Sequence, residues 1–318
     1  MILTVTPNPS LDRTVELPEL VRGAVLRATA ARVDPGGKGV NVSRALAAAE
    51  LATVAVLPSG GRVGARLADL LAPQGVPVVA VAVRGTTRSN TTLVEPDGTT
   101  TKVNEPGPEL SAQEAQALEA QVAELAGRAS WVVTAGSLCA GLPTDFHARI
   151  VRAAHAAGAK VAVDTSGAPL AAAVAAGPDL VKPNLEELAE LVGRPLHSLG
   201  EVLTAAEELR AGGVGAVLVS LGERGALLVD DSGAHHAATA AVPVRSTVGA
   251  GDSTLAGFLA ATTTGASGPA ALVSAVAFGA AAVQLAGSIV PGPSDVHLEE
   301  VRLSPVLDPS LVLMGEAA

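Results

Sequence analysis

Residues 131–182 read WVVTAGSLCAGLPTDFHARIVRAAHAAGAKVAVDTSGAPLAAAVAAGPDLVK. Three short apolar runs stand out in it: Trp131–Ala135, Lys160–Asp164 and Leu180–Lys182. None alternates with a two-residue period, as expected of strands buried on both faces of a parallel sheet. Helical patterns fill the gaps, and Gly158 sits where a C-terminal cap belongs. The same grammar extends outward, with Ile2–Thr6, Thr53–Leu57 and Val78–Val83 upstream and Ala216–Ser220 downstream. Ser111-Ala-Gln-Glu114 and Ser198-Leu-Gly-Glu201 are capping boxes that open two of the helices. Such alternation predicts an α/β protein with a doubly wound, mostly parallel sheet, whose ligands sit at the carboxyl ends of the strands.

Two segments interrupt the alternation. Thr14–Leu17 with Val25–Val33, and Asn90–Glu95 with Thr99–Asn104, read as exposed hairpin strands, the second pair turning through Glu95-Pro96-Asp97-Gly98. They predict a small sheet inserted at about 14–33 and 88–104 into a single domain spanning 1–318. A third hairpin runs from Ala226–Asp230 to His235–Ala238 through Asp231-Ser232-Gly233. No repeat, low-complexity tract or linker divides the chain.

With no Tyr, one Trp and three Phe among 318 residues, the core must be built from Ala, Val and Leu. A fold of this size buries enough apolar surface to need no disulfide, and Cys139, the only cysteine, excludes an internal one and fits a reducing cytosol. A formal net charge of −10 argues against nucleic-acid binding, which demands clustered Lys and Arg. A small anion needs only a few local cations and N–H groups. MILTVTPNPSLD lacks the charged head and long apolar middle of a signal peptide, so a cytoplasmic location is expected. Ser253–Ser294 carries no charge, but Gly265-Ala266-Ser267-Gly268-Pro269 breaks it, which predicts two buried helices rather than a membrane span.

Thr247-Val-Gly-Ala-Gly-Asp-Ser-Thr254, followed by Leu255–Leu259, is the sharpest chemical signal. Gly249, Ala250 and Gly251 let a phosphate approach the backbone where the first N–H groups of a helix point. Asp252 there is placed to accept a proton from an attacking hydroxyl, or else it is an ordinary helix N-cap. Asp34-Pro-Gly-Gly-Lys-Gly-Val-Asn41 lacks the spacing of a Walker A loop; its glycines permit close approach, with Lys38 and Asn41 available to a ligand, or form a turn with a solvated lysine. In Lys182-Pro-Asn-Leu-Glu-Glu187, Asn184 and Glu187 fall on one face of a helix start. They suit the water shell of Mg²⁺ or a plain cap. Ser220-Leu-Gly-Glu-Arg-Gly225 mimics a nucleotide loop but precedes a strand, so a tight turn is its default. Arg27, Arg88 and Lys102 fall in the inserted strands, where solvated edge charge is the bland account. No zinc spacing and no GxSxG elbow occurs.

In chain order these pieces resemble the ribokinase-like carbohydrate kinases, the phosphofructokinase B family, from TPNPSLD to the AAVQLAGS segment ending at Ser288. The resemblance implies an αβα core with a β-sheet lid, ATP as phosphoryl donor and Mg²⁺. It makes Asp252 the catalytic base and Gly249, Ala250 and Gly251 the anion hole. Asp12, Gly36, Gly37 and Asn41, with Asn90 and Lys102, would bind the sugar; Asn184 and Glu187 would organise the metal. Lys182, Asn184, Ser220, Gly222 and Gly225 would line the nucleotide site, with adenine towards Ala280–Ser288. Arg27 and Arg88 would grip the substrate's own phosphate, assisted by Lys38. TPNPSLDRT, PGGKGVNVSRAL, TRSNTTLVEPDGTTTKVNEPGP and GSLCAGLP are similar to the family's 1-phosphofructokinase group. That implies conversion of fructose 1-phosphate to fructose 1,6-bisphosphate, with tagatose 6-phosphate or fructose 6-phosphate as alternative substrates. The resemblance also implies a homodimer through the lid. A kinase of a neutral sugar or nucleoside, and a non-catalytic sensor on the same fold, are the remaining readings.

Overall fold

Seven parallel strands form the body of a ten-stranded sheet in the computed structural model, which describes residues 1–266 and 268–313. Their spatial order is Ala216–Ser220, Leu180–Val181, Lys160–Asp164, Trp131–Ala135, Ile2–Val5, Thr53–Ser59 and Val78–Ala82. Three antiparallel strands, Ala226–Asp230, Gly233–Ala238 and Arg302–Leu303, extend the Ala216–Ser220 edge. The expected strands are therefore present, although the third run stops at Val181 and leaves Lys182 just beyond its end.

Successive side chains go to opposite faces, so each strand feeds two cores. Leu3, Val5 and Val132 pack with Phe146 and Ile150 on one side. Ile2 and Val133 pack with Leu46, Leu255 and Leu259 on the other. This is why the runs are continuously apolar. The uncharged segment forms helices Ala250–Thr263 and Gly268–Val283, packed against each other. Small residues permit the close approach, since a Cβ on Gly257 would lie 2.6 Å from Ser274 O. No helix among the described residues is long and apolar enough to cross a membrane.

The smaller sheet has four strands in the order Ala30–Gly36, Ser10–Glu16, Arg88–Val94 and Thr100–Val103. Its middle pair is parallel, with Asp12 beside Asn90; the outer pairs are antiparallel. Two expectations need correction. The first strand starts at Ser10 instead of Thr14: the large sheet's strand ends at Val5, and after residues 6–9 the chain enters the smaller sheet. Its partner starts at Ala30 instead of Val25, since the antiparallel register with Ser10–Glu16 covers only Ala30–Gly36. Arg27 consequently lies in an exposed connection and not in a strand.

Candidate active site

At the carboxyl ends of the parallel strands, beneath the smaller sheet, lies a cavity of about 490 Å³ lined by both. One wall is the start of helix Ala250–Thr263. Gly249 is its N-cap, in the left-handed conformation (φ 77°) that glycine adopts without strain. The N–H groups of Gly251 and Asp252 find no backbone acceptor and remain available to an anion. A Cβ on Gly251 would lie 3.1 Å from Lys182 Nζ, a tight contact that glycine avoids.

Asp252 is thus not the cap; it belongs to the helix's first turn and is 7% exposed. Its Oδ2 accepts from Asn41 Nδ2 at 2.9 Å. Burial, and then the nearby Asp164 carboxylate, push its acid dissociation up to about pH 6, against the opposing pull of Asn41, Lys38 and Lys182. A buried carboxylate of this kind is ionised near neutrality yet basic enough to take a proton.

Asn41 and Lys38 come from helix Lys38–Ala48, whose N-cap is Gly37 (φ 111°). The GGKG stretch is therefore a strand end running directly into a helix. A Cβ on Gly36 would overlap the Asp12 carboxylate, so glycine is what lets Asp12 sit against the backbone. Lys38 Nζ donates to Asp164 Oδ1 at 2.7 Å and lies 3.6 Å from Glu187 Oε1. Burial opposes its charge, but Asp164 and Glu187 outweigh that and raise its pKa.

Asp164, 1% exposed, was not singled out by the sequence motifs. It closes the apolar strand Lys160–Asp164 at its carboxyl end and also pairs with Lys182, whose Nζ is 3.1 Å from Oδ2. Burial alone would raise its pKa; Lys182 and Lys38 together hold it below the usual carboxylate range. A charged residue ending a buried strand was the available signal.

Asn184 and Glu187 form a reciprocal capping box: Asn184 Oδ1 accepts from Glu187 N at 2.7 Å, and Glu187 Oε2 from Asn184 N at 2.9 Å. Glu187 Oε1 takes no part in the cap and lies 3.6 Å from Lys38 Nζ, and both residues of the box line the cavity. Magnesium held mainly by phosphates and waters asks for only one or two such oxygens, so this pair fits it. Among the described residues no cluster of three His, Cys, Asp or Glu side chains offers a cage of protein ligands.

From the smaller sheet come Asp12, Asn90, Thr92, Lys102 and Asn104, of which Thr92 and Asn104 had not been anticipated; Thr247 and Val248 are further unforeseen lining residues. Asp12 Oδ1 accepts from Ser10 Oγ at 2.7 Å and Asn90 Nδ2 at 2.9 Å. Ser220 lines the cavity, whereas Gly222 and Gly225 make the tight turn that follows it. Nine nominated residues lie outside the lining: Ala250, Gly36, Gly37, Asn41, Gly222 and Gly225, together with Arg27, Arg88 and Ser288. Arg27 is exposed in its loop. Arg88 spends its guanidinium on Glu105 O (2.9 Å) and Asn8 O (3.1 Å). Ser288 is buried, with its carbonyl accepting from Arg44. Lys38 lines the cavity, which Arg27 does not.

The family model described as pfkB family carbohydrate kinase matches residues 7–295. A 1-phosphofructokinase of Rhodobacter capsulatus is 40% identical over 266 residues, 83% of this chain and 84% of that protein. An ATP-dependent 6-phosphofructokinase isozyme 2 of Escherichia coli is 40% identical over 255 residues, 79% of this chain and 82% of its own length. The crystal structure of phosphofructokinase-2 from Escherichia coli superposes with a TM-score of 0.88 at 37% identity, over 92% of this chain and 96% of that one. The ribokinase-like fold, with a smaller sheet set over the strand ends, and the match along most of the chain make this protein a member of the pfkB family of carbohydrate kinases.

Proposed function

We propose that the protein transfers the γ-phosphoryl group of ATP to a hydroxyl of a ketohexose phosphate, with fructose 1-phosphate as substrate and fructose 1,6-bisphosphate as product. The observation that carries this is Asp252: a buried carboxylate, one oxygen held by Asn41, at the mouth of a helix with unpaired N–H groups. Asp252 takes the proton of the attacking hydroxyl, while the N–H groups of Gly251 and Asp252 hold the equatorial oxygens of the phosphoryl group in flight. Asp12, Asn90 and Lys102 orient the sugar phosphate from the smaller sheet, and Lys182 and Ser220 border the nucleotide. Magnesium, when bound, neutralises phosphate charge, and Glu187 with Asn184 holds its water shell. Closure of the smaller sheet over the sugar excludes water, a competing acceptor.

Several relatives at 35–41% identity bear the name 1-phosphofructokinase, which supports fructose 1-phosphate. The Escherichia coli 6-phosphofructokinase relative favours a second reading with fructose 6-phosphate. A coupled ADP-release assay with fructose 1-phosphate, fructose 6-phosphate, tagatose 6-phosphate and fructose decides between them. The highest kcat/KM is expected for fructose 1-phosphate. Asp252→Asn should lose roughly a hundredfold or more in turnover; near-normal turnover in that variant defeats the reading. Outer strands carrying exposed Val33 and Val103 are read as the edges through which two copies pair in the cytoplasm.

A further inference from the structure

Asn41 stands between Asp252 and a second buried cation. While its Nδ2 donates to Asp252 Oδ2 at 2.9 Å, its Oδ1 accepts from Arg44 Nη1 at 3.2 Å. All three side chains are buried. A carboxamide has a donor end and an acceptor end of nearly equal shape; ionised Asp252 only accepts and so takes the donor end, whereas protonated Asp252 can meet either. A guanidinium only donates, so it holds the same orientation in both protonation states. Arg44 lies three residues along the same helix, on the same face, and takes the oxygen end. The opposite flip would set oxygen against carboxylate and amide hydrogens against guanidinium, two repulsions at once.

We propose that Arg44 is a positioning residue for the base: it fixes the orientation of the Asn41 amide, and through it tethers Asp252 Oδ2 so that Oδ1 is left for the substrate hydroxyl. The inference rests on Asp252 being the base. Arg44 is itself anchored from three directions, by Gln74 Oε1 on its Nε (2.8 Å) and by Pro35 O (3.1 Å) and Ser288 O (2.9 Å) on Nη1. Those anchors tie it to the end of the smaller sheet's edge strand and to the segment after the last long helix. A guanidinium so held cannot swing away when the amide turns.

The test is the pH dependence of kinetics in Arg44→Lys, Asn41→Ala and the double variant. Asp164, Lys38 and Lys182, the other charged groups facing Asp252, stay unchanged in all three. Lysine keeps the charge but loses the planar fork. Arg44→Lys should cut kcat roughly tenfold and move the acidic limb of kcat/KM up by about half a unit, because the ionised base loses its tether. In the Asn41→Ala background the same change should cost less than about twofold, since the path is already cut. Equal losses in both backgrounds, or an unmoved limb beside reduced thermal stability, would reduce Arg44 to a brace for Pro35 and Ser288. If Arg44→Lys does not fold, the wild type still decides by NMR: the Asn41 Nδ2 protons must follow the titration of Asp252, and indifference to it overturns the proposal. Asp252→Asn separates the two levels. A fully active Asp252→Asn removes the base itself, whereas additive losses beside an inactive Asp252→Asn remove only the relay.

Discussion

Lys38 Nζ donates to Asp164 Oδ1 at 2.7 Å, which commits the GGKG lysine to the cavity floor between two helix starts. There its charged neighbours are Asp164, Glu187 and Asp252, where transferred phosphoryl charge would develop. Lys38→Met should therefore lower kcat by roughly a hundredfold, as for loss of an electrostatic stabiliser, with KM for the sugar phosphate changed little. Steady-state kinetics with each substrate varied checks this. A large rise in that KM at constant kcat would return Lys38 to the role of phosphate grip.

Asp252 has opposite consequences for activity and stability. With its dissociation raised to about 6, the base is protonated below that pH, and kcat/KM should fall tenfold per unit on the acid side. An unfolded aspartate ionises near 3.9, so the folded state pays for ionising Asp252. That penalty is absent below about pH 4, grows between the two values and is complete above pH 6. Asp252→Asn should then resist urea better than wild type at pH 8, by about 3 kcal/mol, with the gap closing towards pH 4. Equal midpoints at both pH values would show that the carboxylate is solvated.

Asp164 reverses the sign. Its carboxylate neutralises Lys182, 4% exposed, and Lys38 together. Asp164→Ala leaves the buried Lys182 ammonium unpaired and Lys38 with only its longer contact to Glu187, and should destabilise the fold by about 3–5 kcal/mol. Because the folded-state pKa is depressed, the contribution of Asp164 is fully present above the unfolded carboxylate range and is lost as pH falls from there through the lower folded-state value. Denaturant unfolding at pH 7 measures the loss. A variant as stable as wild type would mean that the lysines find other partners or shed their protons.

How much of this was legible in the sequence follows from the range of each constraint. Strands such as Ile2–Val5 and Trp131–Ala135 are apolar on both faces, so burial wrote them directly into the chain. Gly249 and Gly37 were legible because left-handed or crowded backbone admits little else. The capping alternative for Asp252 could not be dismissed from sequence, since the same Gly-rich run allows a cap at either Gly249 or Asp252; only the helix register decides. Asp164 escaped notice because its meaning depends on Lys38, 126 residues away. Arg27 and Arg88 show the converse limit. Charge in a strand-like segment says nothing of whether the guanidinium meets a cavity, solvent or the carbonyl of Asn8.

Gly36 offers the sharpest separation of sugar from nucleotide. Its backbone is not left-handed, so alanine adds no backbone strain, but the new Cβ would overlap the Asp12 carboxylate. Asp12 has little freedom to retreat, because Ser10 Oγ and Asn90 Nδ2 both hold its Oδ1. Gly36→Ala should thus displace Asp12 by a fraction of an ångström to an ångström and raise KM for the sugar phosphate roughly tenfold or more, the scale on which small misplacements act. KM for ATP should stay within about twofold, since Lys182 and Ser220 border the far side of the cavity. A variant that loses ATP affinity instead would put the nucleotide where the sugar is placed here. One that changes neither would remove Asp12 from substrate binding altogether.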